Sequence, residues 1–432
     1  MTAPQPPVAS TLVPGQIPFA EEIVPTEKAP RRVVVLMALA QFGLFVALLA
    51  PVTVSLALKV QTLVPASQAA GALGMVLSVA AFMALVANPV IGRLSDRTAS
   101  RWGRRRPWMV AGSAVFLLGL ATVALAGAVP MVLVGCLLSQ LGGNMILAPL
   151  LTTIADQVPR SQRGSVSANV GVMQNLGILA AAYVASWFVS NMLLLFVVPA
   201  AFAILTVLAY CVVLPDRQVR VHPDTDGWKA LLRTFWVDPR RHPDFAWAWW
   251  SRFLVQLTAF LFITFRLFFL QTRVELPTEE AVQAITTGVL IYTAAVVVTA
   301  KVGGWLSDRL QRRKVFVIVA TLLFALGTYL LVHVDSVSSF YAIEALMGAG
   351  FGMYYAVDMA LVCDVLPNPD DAAKDLGVMN IANALPQSLA GVLGGFLLNV
   401  GSEGTNYTLL FLVAGIIGLL GAAAIVPIKK VR

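Results

Sequence analysis

Charge is scarce in this sequence: Asp, Glu, Lys and Arg make up 12% of its 432 residues, about half the share found in a soluble domain. Histidine and cysteine number three each. His222, His242 and His333 lie far apart, and Cys136, Cys211 and Cys363 each fall alone inside an apolar run. They supply neither a metal-ligand spacing nor a disulfide framework, and the thiols are expected to be free. A nucleotide-binding glycine loop is also missing, so an enzyme is disfavoured and no cofactor is expected. The net charge of +8 does not point to nucleic acid, because the basic residues sit in short loops between apolar runs. The first 30 residues lack the basic-then-apolar order of a signal peptide. They are rich in proline and polar side chains, so 1–30 is expected to be a disordered cytoplasmic N-terminus. The first apolar run then serves as its own insertion signal.

What the chain has in excess is apolar surface, 58% of its residues. Twelve apolar spans can be read, at about 33–57, 71–94, 108–128, 130–156, 165–188, 192–214, 245–270, 281–306, 315–335, 338–366, 376–399 and 406–428. Each is long enough to cross a bilayer core. In lipid an open backbone can satisfy its polar groups only as a helix, so the predicted class is all-α, polytopic, with twelve transmembrane helices. The longest polar linker, 215–244, contains Pro215, Pro223, Pro239 and Pro243 and divides the chain into six-helix halves, 31–214 and 245–432. Of the 30 Lys and Arg, 25 fall at the N-terminus, the C-terminus and the loops after even-numbered spans. Positive charge stays inside, which predicts that both termini are cytoplasmic, in a multi-pass protein of the plasma membrane.

One loop stands out. Gly92-Arg93-Leu94-Ser95-Asp96-Arg97 runs into Arg101-Trp102-Gly103-Arg104-Arg105-Arg106-Pro107-Trp108, a stretch with six of the 30 basic residues. A weaker copy follows in the second half: Gly304-Trp305-Leu306-Ser307-Asp308-Arg309, then Arg312-Arg313-Lys314. Both copies keep Gly four residues before Asp and both keep Ser-Asp-Arg. A repeat at half the chain length predicts two related, pseudo-symmetric halves.

This repeated Gly-x-x-x-Asp-Arg turn resembles the signature of the major facilitator superfamily. The delayed second glycine, Gly103, followed by Arg104-Arg105-Arg106-Pro107-Trp108, is similar to a branch, the glycoside–pentoside–hexuronide:cation symporters and the sucrose:proton symporters. Asn144-Met145, Pro149 and Ala155-Asp156 match the sucrose symporters in spacing. Arg252-Phe253-Leu254, and Lys374-Asp375-Leu376-Gly377 with Asn380, Asn383 and Leu385-Pro386-Gln387, resemble bacterial relatives of that branch. Two departures stand out. The membrane-embedded Asp and Arg of the sucrose symporters are Gln140 and Leu151 here, and Val76 to Ile91 holds no acid for a melibiose-type sodium site. The resemblance therefore implies the fold and transport, without sucrose as substrate or the usual proton site.

It also implies that spans one, four, seven and ten line a central cavity. Gln41, Gln140, Asn144, Gln256, Thr258, Tyr354 and Tyr355 are the candidate substrate contacts, since amides, hydroxyls and rings suit a sugar. Charge inside a span is costly and marks function by default. Asp358 is the acid well inside a cavity helix, and Arg252 lies at the same depth. Pairing in one state and separation in the other would couple proton uptake to helix movement. Arg266 is expected to snorkel to the outer surface, and Glu344 lies near the outer end of span ten. Asp96, Arg97, Arg104, Asp156, Asp308, Arg309 and Asp364 are expected to form a cytoplasmic latch. Asp96 would accept from the exposed amides of a neighbouring helix, span eleven, and Arg97 or Arg104 would pair with Asp156. The expected function is secondary active transport by alternating access, of a sugar or glycoside with a proton. Proton-driven efflux of drug-like or lipophilic compounds is the alternative. Expected partners are a small molecule, a proton and the bilayer, without nucleic acid, and the expected state is a monomer.

Overall fold

The computed structural model describes residues 28–216, 237–310, 312–367, 372–401 and 405–429. Most of the N-terminal segment read as disordered and most of the linker between the halves lie outside the described residues. Twelve helices follow one another: α1 (Arg31–Gln61), α2 (Ala66–Asp96), α3 (Arg106–Leu125), α4 (Val129–Gln157), α5 (Arg160–Trp187), α6 (Met192–Val213), α7 (Pro243–Arg273), α8 (Thr278–Leu310), α9 (Arg313–Leu330), α10 (Val337–Val365), α11 (Ala372–Asn399) and α12 (Tyr407–Ala423). Among the described residues there is no strand, only one bridge between Ser100 and Gly103. Eleven of the helices are long and apolar enough to cross a membrane, and α12 is a shorter apolar helix.

Local chemistry sets the helix ends. Asn191 and Asn406 accept from Leu194 N–H (3.1 Å) and Leu409 N–H (3.0 Å), and Ser336 and Ser339 close a reciprocal capping box. Each satisfies amide donors that the first turn leaves without a helical partner. Proline occupies the first turn of α3, α4 and α7, where its missing N–H costs nothing. Pro51 falls inside α1, and the chain widens into a π-helical turn over Pro51–Ser55.

The two halves pack alike. In the first, α1 contacts α5 and α6, α3 contacts α4 and α6, and α2 contacts α4. In the second, α7 contacts α11 and α12, α9 contacts α10 and α12, and α8 contacts α10. Every one of these pairs has its counterpart six helices on. Between halves the main contacts are α2 with α11 and α5 with α8, which the same symmetry exchanges.

The named contacts across that boundary lie at the end away from the Ser-Asp-Arg turns. Val392 N–H donates to Ser78 Oγ (3.0 Å), Thr286 Oγ1 to the Ala182 carbonyl (3.3 Å), and Gln61 Nε2 to Gln271 Oε1 (2.5 Å). At the centre of the α2–α11 contact, a Cβ on either Gly74 or Gly391 would stand 2.1 Å from the other's carbonyl oxygen. Two backbones touch there because both positions lack a side chain.

Gly391→Val is expected to pry this seal open, at a cost of about 1–3 kcal/mol, because the obstacle is backbone. Gly92→Val is the control, since nothing lies within 4 Å of a Cβ there. Maleimide labelling of Gln61→Cys, with the native cysteines replaced, should speed up several-fold in Gly391→Val and stay unchanged in Gly92→Val. Equal rates in all three proteins would refute a seal at this contact.

Candidate functional site

At the opposite end the arginine-rich loop folds around Arg105. Gly103 turns the chain with φ 96°, a conformation that side chains other than glycine rarely adopt. The turn sends Arg105 inward, where 3% of it stays exposed. Its guanidinium reaches Asp156 Oδ2 (2.9 Å), Asp96 Oδ1 (2.6 Å) and Ser95 Oγ (3.0 Å). Arg104 Nη2 donates to Asp156 Oδ1 (2.5 Å), so one carboxylate at the end of α4 holds two arginines. Asp216 Oδ2, just past α6, accepts from the backbone N–H groups of Arg105 (2.7 Å) and Arg106 (2.8 Å). It is therefore Asp216 that sits on a helix N-terminus, that of α3. Asp96 turns to Arg105, and the contact expected between Asp96 and α11 is not among the described ones. Arg97 closes the last turn of α2 and is exposed.

The second half repeats the core of this arrangement. Arg313 Nη1 donates to Asp364 Oδ2 (2.5 Å), from the start of α9 to the end of α10. The pairs Arg105–Asp156 and Arg313–Asp364 span the same sequence separation, 51 residues. Arg309 lies over the Trp305 ring at 5.3 Å. The side chain of Asp308 lies outside the described residues.

Inside the bundle, α7 and α10 carry two ion pairs. Arg252 Nη2 donates to Asp358 Oδ2 in an ion pair 5% and 13% exposed. The buried Tyr354 side chain lies beside both partners, its hydroxyl aligned with neither. Tyr355 is exposed and packs on Phe351 at 5.5 Å. Arg266 does not snorkel. It is buried and paired with Glu344 (Nη1 to Oε1, 3.0 Å), because α10 sets a carboxylate opposite it. α1 and α7 begin 212 residues apart and α4 and α10 begin 208 apart, so Ala40 and Leu150 take the places of Arg252 and Asp358. The same intervals put Val54 and Cys136 in those of Arg266 and Glu344. All four are buried. Equivalent helices thus pack with apolar residues in one half and with ion pairs in the other.

The uncharged candidates bridge helices. Gln41 Nε2 donates to Gln174 Oε1 (3.4 Å) between α1 and α5, and Gln256 Nε2 to Asn383 Oδ1 (3.2 Å) between α7 and α11. These are equivalent helix pairs of the two halves. Asn383 Nδ2 continues to Asn380 Oδ1 (3.4 Å), and Asn380 is exposed. Asn144 Oδ1 accepts from Asn88 Nδ2 (3.0 Å), and its own amide donates to the Gln140 carbonyl (2.8 Å), tying α2 to α4. Thr258 is fully buried, its hydroxyl within reach of the Leu254 and Ala414 carbonyls (3.0 and 3.1 Å), so it joins α7 to α12. Gln174, Asn88 and Asp216 escape the sequence reading as site residues, and Arg105 enters it only within the arginine run. The signal for Gln174 is an amide inside an apolar span, the same signal that marks Gln41.

With this geometry in place, the comparisons with known proteins agree on the class. A family model described as Major Facilitator Superfamily matches residues 33–302 and 278–431, and the chain belongs to that superfamily of membrane transporters. Among solved structures, a nucleoside transporter, NupG, shares the fold with TM-score 0.73 at 15% identity, over 92% of this chain and 99% of that one. A D-xylose–proton symporter does so with TM-score 0.66 at 15% identity, over 92% and 97%. An uncharacterized symporter of Synechocystis is 51% identical over 45 residues, 10% of this chain and 8% of the relative. A putative multidrug resistance protein, MdtD, of Pectobacterium carotovorum is 26% identical over 136 residues, 32% of this chain and 28% of the relative. The chain thus covers under a third of the length of either curated relative.

The two acid–arginine pairs at this end differ in burial, and that difference is testable. Asp156→Asn is expected to lower the thermal midpoint in detergent by the equivalent of about 1–3 kcal/mol, since it leaves the buried Arg105 short of a partner. Asp364→Asn, in a pair whose partners are 28% and 39% exposed, should cost under about 1 kcal/mol. Equal losses would refute the central place given to Arg105.

Proposed function

We propose that this superfamily transporter moves a sugar or glycoside together with a proton, by alternating access of the two halves to a site between them. The halves are 31–214 and 245–432, joined by 215–244, with both termini and the arginine-rich turns cytoplasmic. The observation that carries the proposal is the Arg252–Asp358 pair. It is a carboxylate inside the bundle, 13% exposed, in the half that alone carries intramembrane charge pairs among the described residues. In the proposed cycle Asp358 ionises beside Arg252 in one state and takes a proton when the helices part. Gln256, Asn383 and Asn380 on one side and Gln41 and Gln174 on the other offer amides that can exchange each other for sugar hydroxyls. The exposed Tyr355 ring offers a face for the sugar C–H groups. Gln140 and Asn144 sit deeper, within the first half. Similarity in fold to a D-xylose–proton symporter agrees with this reading.

In the same proposal, Asp96, Arg104 and Asp156 around Arg105 in the first half, and Asp364 with Arg313 beside Arg309 in the second, hold the cytoplasmic end of each half as a rigid unit. The drug-efflux reading has its own support in the partial similarity to a putative multidrug resistance protein.

Asp358→Asn separates coupling from structure. In proteoliposomes offered labelled pentoses, hexoses and glycosides, wild type should accumulate a sugar when the outside is acidic. Asp358→Asn should keep a near-native thermal midpoint and exchange that sugar down its gradient, but fail to accumulate it. Proton-driven accumulation by Asp358→Asn would remove Asp358 from the coupling role. Gradient-driven loss of a hydrophobic dye, with no sugar uptake, would replace symport by efflux.

A further inference from the structure

Arg266 and Glu344 form a second pair on the same two helices. The interval from Arg252 to Arg266 on α7 equals that from Glu344 to Asp358 on α10. Because the helices run antiparallel, the pairs lie about 21 Å apart along them, one toward each end of the molecule. Arg266–Glu344 lies toward the sealed end. Its side chains are 4% and 1% exposed, and it is the more deeply buried of the two pairs.

A pin between helices does not need this chemistry. Replacing a buried ion pair with apolar residues is often neutral or stabilising, and the equivalent positions of the first half, Val54 and Cys136, pack without charge. The pair is also incomplete. Glu344 Oε2 and Arg266 Nε are buried with no hydrogen-bond partner among the described residues. A carboxylate that served only as a pin would have both oxygens satisfied, since each orphan costs about 1–3 kcal/mol. An oxygen left free is the one that can take a proton.

The surroundings connect Glu344 to the seal. From α7 it faces Arg266, whose guanidinium also lies over the Phe262 ring at 5.6 Å. From α8 it faces Gly288 and Tyr292. Arg266 and Tyr292 are the charged and titratable groups set against it. A Cβ at position 288 would stand 3.2 Å from Glu344 Oε1 and 2.9 Å from the Phe340 ring, so Gly288 leaves the carboxyl its room. Tyr292 also packs backbone-close against Gly348, one turn beyond Glu344 on α10. On the same stretch of α8, Thr286 donates to the Ala182 carbonyl of α5 across the two halves. Residues 286–292 therefore stand between Glu344 and the opposite half.

We propose that Glu344 is a second proton-binding carboxylate of this transporter, which loads a proton as the sealed end opens and transmits its state to the α5–α8 contact through residues 286–292 of α8. The proton comes from the water that enters at that end, binds Oε2, and frees Glu344 from Arg266. The reverse step returns the proton to the same water and restores the pair. Arg266 stays charged throughout. This rests on the reading of the chain as a proton-coupled carrier, but it adds a site separate from Asp358.

Infrared difference spectra of the full-length protein in liposomes, taken as pH falls from about 8 to about 5, report carboxyl protonation directly. Wild type should gain a protonated-carboxyl band of two contributions. Glu344→Gln should remove one and Asp358→Asn the other. A Glu344→Gln spectrum identical to wild type overturns the proposal and leaves the Asp358 reading standing. Loss in Glu344→Gln alone upholds the proposal and removes Asp358, and loss in neither variant removes both. If Glu344→Gln does not fold, Glu344→Asp serves instead: it should shift the position of one contribution, and an unshifted band overturns the proposal. Labelling of Gln61→Cys adds a structural readout. Acid should speed it in wild type, whereas Glu344→Gln should label fast at both pH values. A wild-type pH response in Glu344→Gln overturns the link to the seal.

Discussion

A guanidinium held away from water must find a carboxylate, and three arginines impose that demand on this molecule. Arg105, Arg252 and Arg266 are each buried, and each is met by an acid from another helix or loop. Leaving any one unpaired would cost several kcal/mol. The positions of Asp96, Asp156, Asp358 and Glu344 follow from that demand more than from any helix propensity. Arg105 fixes how α2, α3 and α4 meet at one end, and the other two arginines fix how α7 faces α10. The remaining helices are free to pack through apolar and small residues, which lipid permits and which lets whole halves move as units.

The two halves share a contact plan but not a chemistry. Their helix pairings correspond one for one, and Arg105–Asp156 has its partner in Arg313–Asp364 at equal spacing. Inside the bundle the correspondence fails, where buried apolar residues in one half answer two ion pairs in the other.

The helices are legible in the sequence because lipid leaves an apolar backbone one solution, and their ends depart from the expected ones by a few residues, as at Ala66 for α2. The Arg252–Asp358 contact is legible from depth alone, since both residues lie a similar number of turns from the same end. The fate of Arg266 is not. Depth along a helix says how near water lies but not which neighbour a side chain faces, and Glu344 meets it only once α10 is packed. Three successive arginines likewise hide which one turns inward, which depends on the left-handed backbone at Gly103. Asp216 escapes notice because it lies just past α6, more than a hundred residues from the amides it caps. Thr258 looks like a cavity residue by its helix and is turned instead toward α12, a matter of azimuth that an evenly apolar span does not record.

Alternation is the centre of the account: the end sealed by α2–α11 and α5–α8 must open as the opposite end closes. Spin labels at Gln61 and Gln271 report on the sealed end, and labels at Ser161 and Leu310 report on the α5 and α8 termini at the other. Distance distributions for both pairs, measured in liposomes as the pH is varied, give the most direct test. The account predicts two populations that exchange in opposite senses, with the first distance lengthening as the second shortens. Distances that change in the same sense, or one pair that moves while the other stays fixed, would contradict it.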